Sequence, residues 1–289
     1  MRQLVILSGK GGTGKTTLAG ALISLSRTRA YADCDVDAPN LHLIGADYTR
    51  QEDASYYGLP LAVIDPDKCA ACGVCEQACR FDAVIQGSPY RINPYACEGC
   101  KVCGLVCPAQ AIAMKPHQAG TMTLYYGEGA VFSTARLKMG SGTSGLLVSQ
   151  VKNRLEHAAC EYTGFAVIDG SPGIGCPVIA TLSGAHAALL VAEPSLSGLS
   201  DLERIIETAR GFGVMIAVCV NKADINPEIT DRIKAYCQRE GLLFAGAIPY
   251  DPLAVQAVNQ GRTIVDLDCP SGRAAKEIYR KIMPLLESV

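Results

Sequence analysis

The sequence lacks the marks of several common classes of protein. None of its apolar runs reaches the roughly 18 residues of a membrane span. Its net charge is only −2, with lysine and arginine spread along the chain. We find no histidine-centred triad, no nucleophilic serine turn and no basic stripe with aromatic residues. These absences argue against a membrane span, a triad hydrolase and a nucleic-acid surface.

The chain is rich in apolar residues and in cysteine. Its 289 residues are 49% hydrophobic, which suits one large domain or two modest ones with a real core. Because an apolar run begins at Leu4, we expect no signal peptide and a cytoplasmic location. Cysteines stay reduced or bind metal there. The chain nevertheless has 14 cysteines, and eight of them lie between residues 69 and 107.

The stretch SGKGGTGKTT, residues 8–17, indicates a phosphate-binding loop. It lies between an apolar run that predicts a buried strand and TTLAGALISLS, which predicts a helix. Glycines let backbone N–H groups approach phosphates at a helix N-terminus. In this motif Lys15 reaches the β- and γ-phosphates and the Thr16 hydroxyl binds Mg²⁺. The predicted nucleotide contacts are Gly9, Lys10, Gly11, Gly12, Thr13, Gly14, Lys15, Thr16 and Thr17.

Lys10 is a second lysine that a phosphate loop does not require. The string GKGGTGKT resembles the deviant Walker A motif of MinD-type ATPases, relatives of the nitrogenase iron protein. In that family the early lysine reaches the nucleotide of the other subunit. The resemblance therefore implies a homodimer in which Lys10 is catalytic, together with Lys15. The alternative, that Lys10 is a solvated surface lysine, is the less favoured interpretation.

Two carboxylate-bearing segments complete the predicted magnesium site. DCDVDAPNL is similar to the first switch of MinD-type ATPases, which implies that Asp35 positions the attacking water and Asp33 lies near Mg²⁺. AVIDGSPG is an apolar strand that ends in Asp169, which fits a Walker B carboxylate facing Mg²⁺, with mobile glycines after it. Asp37 is interpreted as a turn residue. Cys176 is interpreted as a buried structural cysteine, although the nitrogenase iron protein has a cluster-binding cysteine at this offset.

The segments VNKAD and IPYD predict the base-binding side of the site. GTPases select guanine with an N-K-x-D pattern, in which Asp224 would accept from the base. MinD-type ATPases place an asparagine here against adenine, which implies the same contact for Asn221. A loop like the one containing Pro249 closes over the base in that family. The deviant phosphate loop favours ATP, and GTP is the alternative.

Eight cysteines form two runs with the same spacing, C-x₂-C-x₂-C-x₃-C. The second run lies 28 residues after the first, and the flanking residues repeat too, so the segment is an internal duplication. It resembles a bacterial two-cluster ferredoxin. In such a protein the fourth cysteine of each run ligates the other cluster. The predicted ligands are therefore Cys69, Cys72, Cys75 and Cys107 for one [4Fe–4S] cluster, and Cys97, Cys100, Cys103 and Cys79 for the other.

Zinc is the competing metal. A zinc site takes its four ligands in pairs, which does not explain two interlocked sets of four cysteines. One departure from the ferredoxin pattern is Arg80, which stands where the second run has Pro108. The charge of Arg80 could raise the potential of the nearby cluster.

Short apolar runs alternate with helical stretches on both sides of the cysteines, which is βαβ alternation. We therefore predict an α/β P-loop NTPase with a mostly parallel sheet flanked by helices, residues 1–58 and 118–289. A small α+β ferredoxin domain, residues 59–117, is inserted into it. Residues 127–145 are interpreted as a strand and then a mobile loop, with a helix from Ser144.

The function predicted first is Mg-ATP hydrolysis that gates electron transfer from two [4Fe–4S] clusters to a partner protein. One alternative is an ATP- or GTP-dependent metallochaperone that matures a metal cofactor. Another is a passive electron carrier whose ATPase domain only regulates docking. Intact duplicated motifs favour electron transfer, because a carrier that releases its cluster needs labile ligands.

Overall fold

The computed structural model describes residues 1–44, 48–127, 129–162 and 164–287. These residues form two compact units. The larger comprises residues 1–53, 122–136 and 145–289, and the smaller comprises residues 54–121 and 137–144. None of the helices in the described ranges is long and apolar enough to cross a membrane.

Strands and helices alternate along the larger unit. The strands of the chain are β1 (Arg2–Ser8), β2 (Ala30–Asp33), β3 (Arg50–Tyr57), β4 (Leu61–Ile64), β5 (Val84–Ile85), β6 (Arg91–Ile92), β7 (Ile112–Lys115), β8 (Gln118–Gly127), β9 (Ala130–Leu137), β10 (Phe165–Pro172), β11 (Ala187–Ala192), β12 (Met215–Asn221) and β13 (Leu243–Ile248). The helices are α1 (Lys15–Ser26), α2 (Val74–Gln77), α3 (Val102–Val106), α4 (Ser144–Ala158), α5 (Cys176–Leu182), α6 (Leu196–Arg210), α7 (Pro227–Arg239), α8 (Pro252–Asn259) and α9 (Pro270–Glu287).

A nine-stranded sheet forms the centre of the fold, in the order β13-β12-β11-β1-β10-β2-β9-β8-β3. The pairs from β13 to β9 are parallel. Strands β1, β10 and β11 are almost wholly buried, as parallel strands covered on both faces must be. The predicted α/β fold with a mostly parallel sheet and flanking helices is therefore confirmed.

The carboxyl ends of the parallel strands place the functional segments together. Ligands in open α/β sheets bind at this edge. The phosphate loop follows β1, the first switch follows β2, and the Walker B segment ends β10. Glu193 directly follows β11, Lys222 directly follows β12, and Pro249 directly follows β13. The topology thus brings residues distant in sequence to one end of the sheet.

One apolar core lies between the sheet and helices α1 and α9. Leu18 and Leu22 of α1 and Ile278 and Ile282 of α9 pack in one buried cluster with side chains of β1, β11 and β12. The buried residues of α9, such as Ala275, Ile278 and Ile282, recur at helical spacing on one face.

The smaller unit consists of two short antiparallel ribbons and two short helices. β4 pairs with β7, and β5 pairs with β6. Its second segment, residues 137–144, includes the predicted loop before α4, which begins at Ser144 as expected. The predicted limits of an inserted domain, 59 and 117, stay a prediction.

Candidate functional site

The phosphate loop needs glycine for two different reasons. Gly12 and Gly14 have φ of 76° and 85°, a region that favours residues without a Cβ. A Cβ on Gly14 would also lie 2.2 Å from Nδ2 of Asn221, and one on Gly9 would lie 2.4 Å from Cβ of Asp201. Gly11, in contrast, has open space around it. The loop therefore packs closely against the ends of other strands and helices before α1 begins at Lys15.

Lys15 lies among carboxylates at the start of α1. Its Nζ is 2.9 Å from Oδ1 of Asp169 and 3.8 Å from Oδ2 of Asp35. The Thr16 hydroxyl donates to the other Asp169 oxygen at 2.5 Å. Burial alone would lower the pKa of Lys15, but Asp169, Asp35 and Asp33 raise it on balance. Lysine, hydroxyl and carboxylate thus lie together where the motif predicts phosphate and Mg²⁺.

Asp33 is fully buried and holds the first switch segment. One carboxylate oxygen accepts from the Asp35 amide at 3.0 Å, and the other accepts from the amides of Asn40 and Leu41 at 2.9 Å each. Burial and the neighbouring Asp169 raise the pKa of Asp33 to about 7, against the lowering effect of the three amides. Asp33 therefore shapes the loop that carries Asp35. Burial likewise raises the pKa of Asp35, which is half-buried.

Lys10 forms an ion pair within its own chain. Its Nζ lies 2.8 Å from Oε2 of Glu193 and donates to the Ser195 hydroxyl at 3.3 Å. Glu193 also pairs with Lys222, at 2.7 Å. Sequence reasoning missed both Glu193 and Lys222. Their place immediately after parallel strands is the signal that could have identified them.

A cavity of about 250 Å³ lies next to the phosphate loop, where the sequence predicts the base-binding side of the site. Its wall includes Gly14, Thr17, Asn221 and Pro249, all predicted nucleotide contacts. Asn221 also donates through Nδ2 to the Thr13 carbonyl at 2.7 Å.

Asp224, the residue that would select guanine, forms a hydrogen bond within the neighbouring loop. Its Oδ1 accepts from the Tyr250 amide at 2.6 Å, and Asp224 is absent from the wall of the cavity among the described residues. A carboxylate engaged by its own loop is poorly placed to read the guanine ring. The arrangement therefore favours adenine.

Cys176 is exposed, so the expectation of a buried structural cysteine is wrong. Cys176 is the first residue of α5, at the loop that follows β10, where the chain turns at the surface. A Cβ on Gly145, the second residue of α4, would lie 3.0 Å from Cβ of Cys176. The close approach of these two helix ends requires glycine at 145.

The cysteines of the smaller unit form two groups. Burial raises the pKa of the Cys75 thiol, and Cys107 and Cys69 add to the rise. Burial also raises the pKa of Cys103, with contributions from its neighbours Cys97, Cys100 and Cys79. In both groups the fourth cysteine of one run lies beside the first three of the other run. The four cysteines of the first group also line one small cavity, Cys69, Cys72, Cys75 and Cys107.

The backbone of the two runs repeats as closely as the sequence does. Left-handed conformations occur at Ala71, Gly73 and Asp82 in the first copy, and at Gly99, Lys101 and Gln110 in the second. The members of each pair are separated by the repeat length. The Ala83 amide donates to Sγ of Cys79 at 3.4 Å, and the Ala111 amide donates to Sγ of Cys107 at 3.3 Å. The duplication is therefore structural.

Across the described residues, no three His, Cys, Asp or Glu side chains converge to hold a single metal ion. A cubane cluster bonds each thiolate to a different iron, so its ligands need not converge on one point. The two groups of four cysteines, with N–H groups directed at the fourth sulfur, fit such clusters. For Mg²⁺ at a phosphate loop, water and the phosphates supply most ligands, and Thr16 and Asp169 fit that role.

The fold and the phosphate loop define an α/β P-loop nucleoside triphosphatase. Residues 4–264 match the CobQ/CobB/MinD/ParA nucleotide binding domain, and the chain belongs to this family of P-loop ATPases. An uncharacterised protein of Methanocaldococcus jannaschii is 32% identical over 286 residues, covering 97% of this chain and 96% of the relative. The iron-sulfur cluster carrier protein of Pyrococcus furiosus is 23% identical over 306 residues, covering 99% and 87%.

Solved structures share the fold. The septum site-determining protein MinD of Pyrococcus horikoshii, complexed with Mg-ADP, has a TM-score of 0.59 at 17% identity, covering 98% of this chain and 96% of that one. At this identity the likeness concerns the fold alone.

Proposed function

We propose that the chain hydrolyses Mg-ATP as a nucleotide-dependent homodimer and uses hydrolysis to gate electron transfer from two [4Fe–4S] clusters to a partner protein. The observation that carries the proposal is that one chain has both a phosphate loop and eight cysteines in two interlocked groups of four. Cytoplasmic reducing conditions would keep these thiols available for clusters.

On the ATP side, each residue has a role that its position supports. The loop amides and Lys15 bind the phosphates, and Thr16 and Asp169 hold Mg²⁺. Asp35, half-buried and 3.8 Å from Lys15, orients the attacking water. Lys10 from the other subunit stabilises charge on the γ-phosphate, as an arginine finger does. Asn221 and Pro249 contact the adenine.

On the redox side, Cys69, Cys72, Cys75 and Cys107 would hold one cluster, and Cys97, Cys100, Cys103 and Cys79 the other. When bound, such clusters supply one-electron carriage at low potential. Interlocked ligands tie each cluster to both halves of the duplication. This favours retention of the clusters over their release.

A second candidate is a maturation factor that delivers a metal cofactor with ATP or GTP. The observation that favours it is the relative named an iron-sulfur cluster carrier protein. A passive carrier with a regulatory ATPase domain is the third. The three differ in what happens to iron and to electrons during turnover.

Iron content after turnover separates the first two candidates. Protein reconstituted anaerobically should hold about eight iron atoms per chain. We expect it to keep them after incubation with ATP and an excess of an apo-ferredoxin that accepts [4Fe–4S] clusters. Loss of iron to the apo-ferredoxin under ATP would instead establish delivery. Binding of zinc in place of iron after the same reconstitution would contradict the cluster assignment.

Electron flow separates the third candidate. Reduced protein is mixed with an oxidised dye, and the reoxidation rate is measured with ATP, with ADP and with Lys15→Ala protein. A rate that changes only in wild type under ATP supports gating. Equal rates in all cases support the passive carrier.

A further inference from the structure

Glu193 bridges two lysines of the nucleotide site. It follows β11 directly, and its two carboxylate oxygens are divided between Nζ of Lys10 at 2.8 Å and Nζ of Lys222 at 2.7 Å. Both lysines draw the pKa of Glu193 below its usual range. One carboxylate is therefore shared by two cations beside the phosphate loop, and the three groups together keep one positive charge.

Lys222 connects this pair to the phosphate loop. Its Nζ donates to the Gly12 carbonyl at 3.3 Å, next to the Thr13 carbonyl that Asn221 holds at 2.7 Å. Lys222 has a φ of 55°, which is uncommon for a residue with a side chain. Its own amide donates to Oδ1 of Asn221. The end of β12 thus donates to two consecutive carbonyls of the phosphate loop, Gly12 and Thr13. The surrounding contacts must maintain the uncommon backbone conformation of Lys222.

The position of Glu193 is fixed by the start of α6. A Cβ on Gly198 would lie 2.2 Å from the Glu193 carbonyl oxygen, so the first turn of α6 packs directly on this residue. Ser195 caps the helix by accepting from the Gly198 amide at 3.0 Å, and the same hydroxyl accepts from Lys10. Lys10 is therefore held by two groups of the turn between β11 and α6, Glu193 and Ser195. A free surface lysine would instead be surrounded by water.

We propose that Glu193 is a positioning residue that holds Lys10 on its own subunit's phosphate loop until ATP-driven dimerisation draws that lysine to the opposite γ-phosphate. The Glu193 carboxylate and the γ-phosphate are both negatively charged, so each can pair with the Lys10 ammonium. In the proposed dimer the phosphate replaces the carboxylate as the partner of Lys10. Breaking the Lys10–Glu193 contact opposes dimerisation. After Lys10 moves away, Glu193 remains paired with Lys222, which still donates to the Gly12 carbonyl. The last step of this inference rests on the proposed action of Lys10 in trans.

The resting contact can be tested without measuring activity. Lys10 in nucleotide-free protein is acetylated with a trace reagent, and the rate is read by mass spectrometry against exposed Lys234. Glu193→Gln should raise the Lys10 rate roughly twofold to fivefold, as expected for loss of one partly exposed ion pair. Glu240→Gln is the matched control, because Glu240 also bridges two cations, Arg210 at the end of α6 and Arg239 at the end of α7. It should leave the Lys10 rate unchanged.

Two further variants keep the test decisive. Lys222→Met removes the competing lysine, so Lys10 should react no faster than in wild type. Glu193→Asp keeps the charge and should give an intermediate rate, even if the Gln variant proves poorly folded. An unchanged Lys10 rate in both Glu193 variants would overturn the proposal.

Dimerisation tests the second half of the inference. With a non-hydrolysable ATP analogue, Glu193→Gln should dimerise at a protein concentration up to roughly thirtyfold lower than wild type or Glu240→Gln, because two such contacts no longer oppose it. Equal dimerisation despite faster Lys10 labelling would support the resting contact and refute the action of Lys10 in trans. Weaker dimerisation than wild type would overturn the release step.

Discussion

The two lysines of the phosphate loop differ in what surrounds them. Lys15 is 6% exposed and lies between Asp169 and Asp35, so it completes a buried charge cluster even before nucleotide binds. The Lys10 side chain is one-third exposed, and among the described residues its partners are the partly exposed Glu193 and Ser195. A buried ammonium is costly to remove, whereas a rim contact is exchanged easily. The difference predicts different failures.

Lys15→Ala should abolish nucleotide binding, because the phosphates lose their own-subunit cation. Lys10→Ala should keep ATP affinity within a few-fold while turnover falls by roughly 10³-fold or more, the usual effect of removing a charge supplied in trans. ATP binding and hydrolysis rates measured separately check this contrast.

Mixing variants provides the stricter check. A Lys10→Ala chain paired with an Asp35→Ala chain should regain one working site per dimer, since the first keeps its own Asp35 and borrows the partner's lysine. If heterodimers form and remain inactive, Lys10 acts within its own chain.

Motif residues were predictable because their chemistry fixes their spacing. Gly14, Lys15, Thr16 and Asp169 converge in the structure as the sequence predicts. Glu193 was not predictable, because a single carboxylate in AEPS has no local pattern. Its contact with Lys10 depends on β1 and β11 being neighbours in the sheet, which is a property of topology. The prediction that Cys176 is buried was wrong for a similar reason. Nothing in the local sequence indicates that this first residue of α5 lies at the surface.

At the scale of elements, the loop after β13 joins two helix starts through one carboxylate. Oδ1 of Asp251 accepts from the Leu253 amide at the start of α8, and Oδ2 accepts from the amide and hydroxyl of Ser271 at the start of α9. Burial would raise the pKa of Asp251, but the hydrogen bonds from Ser271 and Leu253 lower it on balance. The ionised form is therefore the stabilising one.

Asp251→Ala should lower the free energy of unfolding by about 2–4 kcal/mol, since it removes a helix cap and takes the carboxylate acceptor from the buried amide and hydroxyl of Ser271. Exposed Asp268, beside Arg273, is the control and should change it by less than about 0.5 kcal/mol when replaced with alanine. Because the folded pKa is depressed, the contribution of Asp251 is fully present above its ordinary pKa of 3.8 and is lost as pH falls below that value. Denaturant unfolding at several pH values measures both effects.

The two halves of the cysteine duplication can be tested as elements in the same way. If the fourth cysteine serves the other cluster, Cys72→Ser with Cys107→Ser disables one cluster and should leave about four iron atoms per chain. Cys100→Ser with Cys107→Ser disables both clusters and should leave almost none. The reverse pattern would mean that each run holds its own cluster. Iron and sulfide analysis after anaerobic reconstitution distinguishes the two patterns.

At the scale of the whole molecule, βαβ alternation made the parallel sheet predictable, but strands β3 and β8 were missed. Nearly every residue of β3 is exposed, so RQEDASYY shows no apolar alternation, the usual signal of a strand. It forms the edge of the sheet, and tertiary pairing decides its conformation. β8 does bury Ala119, Met122 and Leu124, so its apolar residues carried a signal that the sequence reading did not use, whereas β3 carried almost none.

The path of the chain between the two units suggests coupling between nucleotide and clusters. The chain passes from one unit to the other within β3, β8 and β9 and again at the start of α4, so every crossing falls inside or at the end of a regular element. A hydrogen-bonded strand bends less freely than a loop. The first of these strands follows the switch segment that Asp33 holds and that ends in a short helix, Leu41–Leu43. We therefore expect a shift of this segment on γ-phosphate binding to affect the clusters.

We expect the EPR line shape or the midpoint potential of the reduced clusters to differ between protein with ADP and protein with a non-hydrolysable ATP analogue. Lys15→Ala protein, which binds neither, should give one spectrum under both conditions and so controls for direct effects of the nucleotides. Asp33→Asn should weaken the response without removing the clusters, because an amide cannot accept all three backbone N–H groups that order the switch segment. Identical wild-type spectra with both nucleotides, in protein shown to bind both, would mean that the two units act independently and that ATP does not gate the clusters through the chain.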